Sequence, residues 1–191
     1  MKKLLTIVFM LFCISVMSYG QFTSGKNYLG AAAGLGLEYS TPMFGVNYEY
    51  AFSKNFTVGV VARLNKNDDS VRWSPPLYPP SVGKFTKTHM FFGVQGNYHF
   101  DGLIKNTQWD PFAGLAVGYY IWYLTLNEGR YFSARGGDDI FYNVHATMRY
   151  WLNPWLGVQA RFEFGSVLPL ISDDDNTIGS SAVLLGIDFR F

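Results

Sequence analysis

Cysteine is almost absent from this sequence. Of the 191 residues only one is a cysteine, Cys13, and it lies in the apolar segment near the N-terminus. If that segment is removed as a signal peptide, the remaining chain has no thiol group. This composition excludes disulfide bonds, thiolate metal sites and thiol nucleophiles from the mature chain.

Charged residues are also scarce. They make up 15% of the chain, whereas an average soluble protein has about 25%. The formal net charge is +1, so the sequence has no basic field that would attract nucleic acid. Aromatic residues reach 18%, and 20 residues are glycine. A chain that is poor in charge and rich in aromatic residues and glycine suggests a membrane environment.

Long apolar runs are missing except at the N-terminus. The segment there has the parts of a secretory signal, which in order are Lys2 and Lys3, the apolar core 4–17, and the small residues Ser18 and Gly20. We therefore predict a signal peptide over 1–20, with cleavage before Gln21, and one domain over 21–191. An uncleaved anchor is the alternative, but the apolar core is shorter than the roughly 20 residues of a spanning helix.

Apolar residues alternate with small or polar residues along the rest of the chain. A period of two is typical of β-strands with one apolar face. It predicts eight strands, over 28–39, 44–52, 56–65, 90–100, 111–123, 140–150, 156–164 and 181–191. These lengths are close to the roughly 9–11 residues with which a tilted strand crosses a bilayer. An even number of strands places both termini on one side.

The predicted connections alternate in length. Short turns are predicted at 53–55, 101–109 and 152–154, and longer polar loops at 66–88, 124–139 and 165–178. The connection over 40–42 is an exception, because it is short but lies on the side of the long loops. Short turns inside and long loops outside are typical of outer-membrane barrels.

The second face of each strand separates a soluble β-sandwich from a barrel. A sandwich turns its polar face to water, and we would expect lysine there. Every lysine of the mature chain instead lies in a loop, a turn or a strand end. The predicted inward charges are Glu38, Glu49, Glu163, Asp188, Arg63, Arg149, Arg161 and Arg190. Equal numbers of acids and arginines suit a structural network in a closed lumen, because an unpaired buried charge is very costly.

Aromatic residues gather at two levels of the predicted strands. The short-turn end has Phe52, Phe56, Phe100, Trp109, Tyr150, Trp151, Trp155, Phe189 and Phe191, and the other end has Tyr39, Phe44, Tyr119, Tyr123, Tyr142, Phe162 and Phe164. Amphipathic rings favour the boundary between lipid and water. We therefore predict two aromatic girdles, as in outer-membrane barrels.

With these features the mature chain resembles the small outer-membrane β-barrel family, the OmpA/OmpX-type eight-stranded transmembrane domain. The ending Gly186 to Phe191 resembles the C-terminal assembly signal of such proteins, with Phe189 and Phe191 as the aromatic positions. Leu184 departs from that pattern, which prefers a polar residue. The resemblance implies an all-β, up-and-down antiparallel barrel in the outer membrane of a Gram-negative cell. It also implies contact with outer-membrane lipid and insertion by the outer-membrane assembly machinery, but not one function.

One group of side chains suggests catalysis. His145, Thr147 and Glu163 lie on adjacent predicted strands. A lipid-A deacylase of this architecture would use a His, a Ser and an acid, but this group has Thr in place of Ser and faces the lumen, away from the acyl chains. We interpret it as part of a hydrogen-bonded lumen network. His89 and His99 are predicted to be too far apart to share a metal, and no cofactor site is predicted.

A proline-rich segment over 71–81 is the candidate site for an extracellular ligand. It has Trp73, Leu77 and Tyr78, and rigid exposed aromatic side chains are good anchors for a partner. We expect a non-enzymatic barrel with a structural or surface-interaction role. The alternatives are a narrow channel or small-solute binder, and a lipid-A-modifying enzyme. Because small eight-stranded barrels fill their interior with side chains, a wide pore is disfavoured.

Overall fold

The structure is a computed structural model of the chain, and it describes residues 24–37, 41–73, 81–100, 108–126, 133–167 and 180–191. The predicted signal peptide over 1–20 lies outside these residues. None of the described residues forms a helix that is long and apolar enough to span a membrane.

Eight strands account for almost all of the described residues. They are β1 (Asn27–Gly36), β2 (Thr41–Ala51), β3 (Phe56–Trp73), β4 (Ser81–His99), β5 (Trp109–Leu126), β6 (Ser133–Trp151), β7 (Leu156–Val167) and β8 (Ser180–Arg190). Each strand pairs antiparallel with its neighbour in sequence, and β1 pairs with β8 to close the barrel. The predicted all-β, eight-stranded antiparallel up-and-down barrel is confirmed.

The alternation of the sequence determines which face of each strand points outward. In β2, buried residues such as Thr41 and Met43 alternate with exposed ones such as Phe44 and Val46. The outward face is apolar throughout the barrel, and Leu185 is 65% exposed. Soluble monomers rarely expose a large continuous apolar surface. This barrel therefore turns its apolar face to its surroundings and its polar face to the lumen.

Exposed aromatic side chains ring both ends of this apolar surface. At the short-turn end the Trp155 and Phe189 rings stack with centroids 6.2 Å apart, and Phe56 meets Tyr98 edge-on at 4.9 Å. The assignment of Trp151 to this girdle is wrong, because the residue is fully buried in the lumen. Alternation places Tyr150 partly outward and its neighbour inward. Tyr39, predicted in the other girdle, lies outside the described residues.

Four consecutive strands are much longer than predicted. β3 to β6 have 18 or 19 residues, whereas β1, β2, β7 and β8 have 10 to 12. The predicted long loops over 66–88 and 124–139 are therefore wrong in extent, because most of these residues continue the strands. The short connection predicted over 40–42 is also displaced, because β2 already begins at Thr41.

The extension forms a four-stranded sheet beyond the outward apolar surface. β3 and β4 stay in unbroken register from Phe56 opposite Tyr98 to Trp73 opposite Ser81. We call this extension the ribbon and define it as the residues 66–73, 81–88, 122–126 and 133–140. Within the described part of the chain it rises from one side of the barrel only, at the end opposite to the start of β1 and the end of β8.

Candidate functional site

The lower part of the lumen, toward the short turns, is organised around Arg149. This side chain is fully buried, and its Nε donates to Asp188 Oδ2 at 2.9 Å while its Nη1 donates to Asp110 Oδ2 at 3.2 Å. Its Nη2 lies 3.8 Å from Glu49 Oε1. One guanidinium is therefore shared by three carboxylates from three strands. Its fixed fork of five N–H donors suits this arrangement.

Neutral side chains satisfy the rest of the Glu49 carboxylate. Asn47 Nδ2 and Gln95 Nε2 donate to its Oε1 at 2.9 Å and 3.0 Å, and the Thr57 hydroxyl donates to its Oε2 at 3.2 Å. Burial of a charge is tolerated when hydrogen bonds replace its water shell. The polar inward residues of β2, β3 and β4 thus stabilise the acid that Arg149 only partly neutralises.

A hydroxyl, an imidazole and a carboxylate also lie in sequence in this layer. His99 Nδ1 is 2.7 Å from Asp110 Oδ1, and His99 Nε2 is 3.4 Å from Thr57 Oγ1. This is the order of groups in a nucleophile triad. However, the Thr57 hydroxyl donates to Glu49 rather than to the imidazole, and none of the three residues is more than 4% exposed. Thr57, His99 and Asp110 are therefore part of the packed lumen.

The upper part of the lumen is organised around Glu163. Arg63 Nη2 and Arg161 Nε each lie 2.6 Å from its Oε1, and Asn143 Nδ2 donates to its Oε2 at 3.2 Å. Arg63 also donates to the backbone carbonyls of Val46 and Ala62, at 3.4 Å and 3.2 Å. Two arginines here share one acid, whereas three acids share the one arginine at Arg149.

The structure brings most of the predicted lumen charges together. Glu49, Arg63, Arg149, Arg161, Glu163 and Asp188 are buried and ion-paired. Arg190 lies apart at the short-turn end, where its Nε donates to Pro154 O at 2.7 Å and its guanidinium lies 4.4 Å from the Trp151 ring centroid. Glu38 lies outside the described residues. Sequence reasoning missed Asp110, although continuing the alternation back past Pro111 would have placed it inward.

Inward glycines give the large polar side chains their space. A Cβ at Gly45 would lie 2.4 Å from Arg63 Nη1, and one at Gly30 would lie 2.4 Å from Asp188 Oδ1. Real Cβ atoms do not approach other atoms so closely. These inward glycines therefore accommodate neighbouring side chains and do not leave the wall of a wide cavity.

Apolar layers close the polar part of the lumen at both levels. The lower layer is Tyr28, Ala51 and Trp151. The upper layer is Val61, Phe91, Ala116, Tyr120 and Phe141. Within the upper layer the Phe91 and Phe141 rings meet edge-on at 5.1 Å. This packing opposes a continuous aqueous path through the described lumen.

His145, Thr147 and Glu163, the suspected catalytic group, lie on the adjacent strands β6 and β7 but are not hydrogen-bonded to one another as a triad. His145 lies opposite Glu163 in the β6–β7 pair, yet its Nε2 contacts Asn97 Oδ1 at 2.8 Å. The Glu163 carboxylate is occupied by arginines. The side chains of His145, Thr147 and Glu163 are all buried. Among the residues that the structure describes, no cluster of three or more His, Asp or Glu side chains has the geometry to hold a metal ion.

The ribbon has two edge strands. Over 66–73, β3 pairs only with β4 within the described part of the chain, and over 133–140, β6 pairs only with β5. Trp73 ends β3 opposite Ser81, and the structure describes its backbone alone. Leu77 and Tyr78, the other predicted partner-binding residues, lie outside the described residues.

The two edges differ in regularity. The β5–β6 register shifts between Trp122 and Tyr123, which pair with Gly137 and Arg135, so one residue of β6 is bulged. A bulge twists a strand and disrupts further pairing at an edge. The β3 edge has no register shift. The regular edge of the ribbon is therefore β3.

Solved structures share this fold, although no family model and no curated protein matches the sequence. The chain is similar to Neisserial surface protein A, with 15% identity and a TM-score of 0.58 over 87% of this chain and 96% of that one. It is similar to OprG of Pseudomonas aeruginosa, with 13% identity and a TM-score of 0.53 over 91% and 99% of the two chains. It is also similar to Ail of Yersinia pestis in a complex with sucrose octasulfate, with 15% identity and a TM-score of 0.51 over 88% and 100%. The predicted resemblance is thus confirmed at the level of fold, which is that of the small eight-stranded outer-membrane β-barrels.

Proposed function

We propose that this protein is a non-enzymatic outer-membrane barrel that presents its ribbon outside the cell as a binding surface for another protein. The observation that carries this proposal is the difference in strand length, because β3 to β6 continue far beyond the end of the apolar surface. A barrel that only anchored or sealed the membrane would not need these extra residues.

The outward apolar surface and its aromatic ends support a position in a membrane. The start of β1 meets the residue that follows β8 at the short-turn end, where the backbones of Asn27 and Phe191 exchange hydrogen bonds of 2.9 Å and 3.0 Å. In outer-membrane barrels the short turns face the periplasm and the long connections face outside. The ribbon therefore faces the exterior.

The β3 edge of the ribbon is the surface best suited to a partner. An extended peptide can add a strand to an exposed sheet edge through main-chain hydrogen bonds. The β1–β2 connection next to this edge has only the four residues 37–40, which reach at most about 14 Å. Eight strand residues over 66–73 extend about 26 Å, so that connection cannot cover the edge.

The experiment compares two truncations that remove different halves of the ribbon. Asn65 is paired with His89, so an Asn-Gly turn in place of 66–88 removes the β3–β4 half and keeps the barrel below it. Ile121 is paired with Asp138, so the same turn in place of 122–137 removes the β5–β6 half. Cells that display each form are tested for binding to a panel of purified serum and extracellular-matrix proteins.

We expect the full-length protein to bind at least one member of the panel. The 66–88 truncation should reduce that binding at least tenfold, whereas the 122–137 truncation should retain most of it. Equal binding by all three forms would contradict the proposal, as would no binding by the full-length protein. Lipid-A mass profiles of the same cells should not change with the protein, and a change that depends on His145 would favour the enzyme.

A further inference from the structure

Four inward residues on successive strands form one row across the wall of the lumen. Thr57 of β3 lies opposite Asn97 of β4. Asn97 lies opposite Gly114 of β5, which in turn lies opposite His145 of β6. A Cβ at Gly114 would lie 2.1 Å from Asn97 Oδ1 and 2.6 Å from His145 Nε2. The glycine therefore leaves the space in which His145 reaches across β5 to the amide of Asn97.

The hydroxyl of Thr57 and the side-chain amide of Asn97 are in contact. Asn97 Nδ2 donates to Thr57 Oγ1 at 3.0 Å, so the hydroxyl oxygen turns a lone pair toward the amide group. Neither residue is more than 2% exposed. A hydroxyl that is held against an amide has the geometry from which acyl transfer starts. The exclusion of bulk water would also protect the product from hydrolysis.

A carboxylate is positioned to activate this hydroxyl. The Thr57 hydroxyl donates its hydrogen to Glu49 Oε2 at 3.2 Å, which is within the reach of a general base. The amide nitrogens of Asn47 and Gln95 both donate to the other oxygen, Oε1. The carboxylate is therefore fixed with its Oε2 toward Thr57. A hydroxyl is a weak nucleophile until an adjacent base takes its proton.

An imidazole holds the carbonyl oxygen of the same amide. Because the nitrogen of Asn97 donates to Thr57, its Oδ1 accepts from His145 Nε2, and the two atoms are 2.8 Å apart. Negative charge develops on a carbonyl oxygen when a nucleophile adds to its carbon, and a donor placed there stabilises that charge. Nucleophile, base, electrophile and oxyanion donor are thus together in one buried site.

We propose that Thr57 and Asn97 form an intramolecular ester bond. Thr57 Oγ1 adds to Asn97 Cγ while Glu49 takes the hydroxyl proton, and His145 Nε2 stabilises the negative charge on Oδ1. The Cγ–Nδ2 bond then breaks, Glu49 returns the proton to the nitrogen, and ammonia leaves. One bond to Cγ replaces another, so the reaction needs no oxidant, reductant or cofactor. The ester would link β3 to β4 at the open end of the hairpin that continues into the ribbon.

A second pair of side chains in the same barrel has the contact without the catalytic groups. Asn65 Nδ2 donates to Thr41 Oγ1 at 2.8 Å. Within the described part of the chain, neither of these two side chains is hydrogen-bonded to a carboxylate or an imidazole. If contact alone were sufficient, both pairs would become linked. If Glu49 and His145 are required, only Thr57 and Asn97 would.

The test is mass spectrometry of tryptic peptides from the mature protein, extracted from outer membranes. Cleavage after lysine and arginine releases Thr57 in the peptide 55–63 and Asn97 in the peptide 88–105. We expect one linked species whose mass is the sum of the two peptides less one ammonia. Hydroxylamine, which cleaves esters, should separate it. The peptide 64–66, which has Asn65, should be recovered without a link.

Two variants of the nucleophile complete the test. Thr57→Val should give both peptides unlinked, whereas Thr57→Ser keeps a hydroxyl and should restore the link. Recovery of 55–63 and 88–105 only as separate peptides from the folded wild-type protein would overturn the proposal, as would a link that persists in Thr57→Val. Equal linkage of Thr41 to Asn65 would overturn the roles of Glu49 and His145.

Refolding of the wild-type protein decides the matter if Thr57→Val does not fold. Protein from inclusion bodies, dissolved in urea, should give the two peptides unlinked. After the barrel folds in detergent micelles, the linked species should accumulate with time. A folded barrel that stays unlinked, or a link already present in urea, would overturn the proposal.

Discussion

In the lumen, charged side chains reach across the barrel and are buried, as Arg63 is where it meets Glu163. In the ribbon, the described polar side chains are exposed or half-buried, and Thr86 on β4 donates a hydrogen bond of 2.7 Å to Asp68 on the paired strand β3. Both regions belong to the same strands. Their difference shows that one antiparallel sheet can provide a fixed core at one end and an adaptable surface at the other.

The energetic weight of an ion pair depends on this location. Removing one partner of a buried pair leaves an uncompensated charge in a low dielectric and is strongly destabilising. An exposed polar pair contributes little because water replaces the lost partner. Substitutions in the lumen should therefore act on folding, whereas substitutions in the ribbon should act on binding.

The largest effect is expected from Arg149→Met. It leaves Glu49, Asp110 and Asp188 without their shared guanidinium. We expect a loss of about 3–5 kcal/mol in the free energy of unfolding, measured by urea titration of tryptophan fluorescence in lipid vesicles. Arg190→Met is the control, because that side chain is only partly buried and bonds to a backbone carbonyl. Equal losses in the two variants would show that the lumen ions do not determine stability.

A smaller effect is expected from Gly45→Ala. The new Cβ would overlap Arg63, whose guanidinium is held in place by Glu163. Overpacking of this kind costs about 1–3 kcal/mol, and the same urea titration measures it. Gly96→Ala is the matched control, because Gly96 faces outward and its Cβ would have no neighbour closer than 4.0 Å. If both alanine variants unfold like the wild type, the lumen is looser than the contacts indicate.

The faces of the strands could be predicted from the sequence because the two faces meet different surroundings. Val58 and Val60 point outward, and Thr57 and Gly59 between them point inward. The ribbon gave no such signal. Lys66, Asn67 and Asp68 are polar in succession, because both faces of the ribbon lie beyond the apolar surface. The sequence therefore predicts ends of β3 and β5 that are too early and starts of β4 and β6 that are too late.

The composition of the lumen was more predictable than its pairing. Alternation placed Arg63 and Glu163 inward, but their strands β3 and β7 are not neighbours in the barrel. A contact between them depends on the reach of two long side chains across the interior, which no sequence period encodes. The register of the β6–β7 ladder places His145 opposite Glu163. The two side chains are nevertheless not hydrogen-bonded to each other, because His145 Nε2 contacts Asn97 instead. The partners in a closed lumen are thus set by its three-dimensional packing.

The smallest effect is expected from Asp68→Ala in the ribbon. This carboxylate is exposed and accepts a hydrogen bond from Thr86. Since water can replace that bond, the free energy of unfolding should change by less than about 0.5 kcal/mol. The identical substitution Asp188→Ala removes a fully buried partner of Arg149 and should cost several times more. If urea titration gives equal losses for the two aspartates, the ribbon is part of the folding core, and its strands could not be offered to a partner without loss of stability.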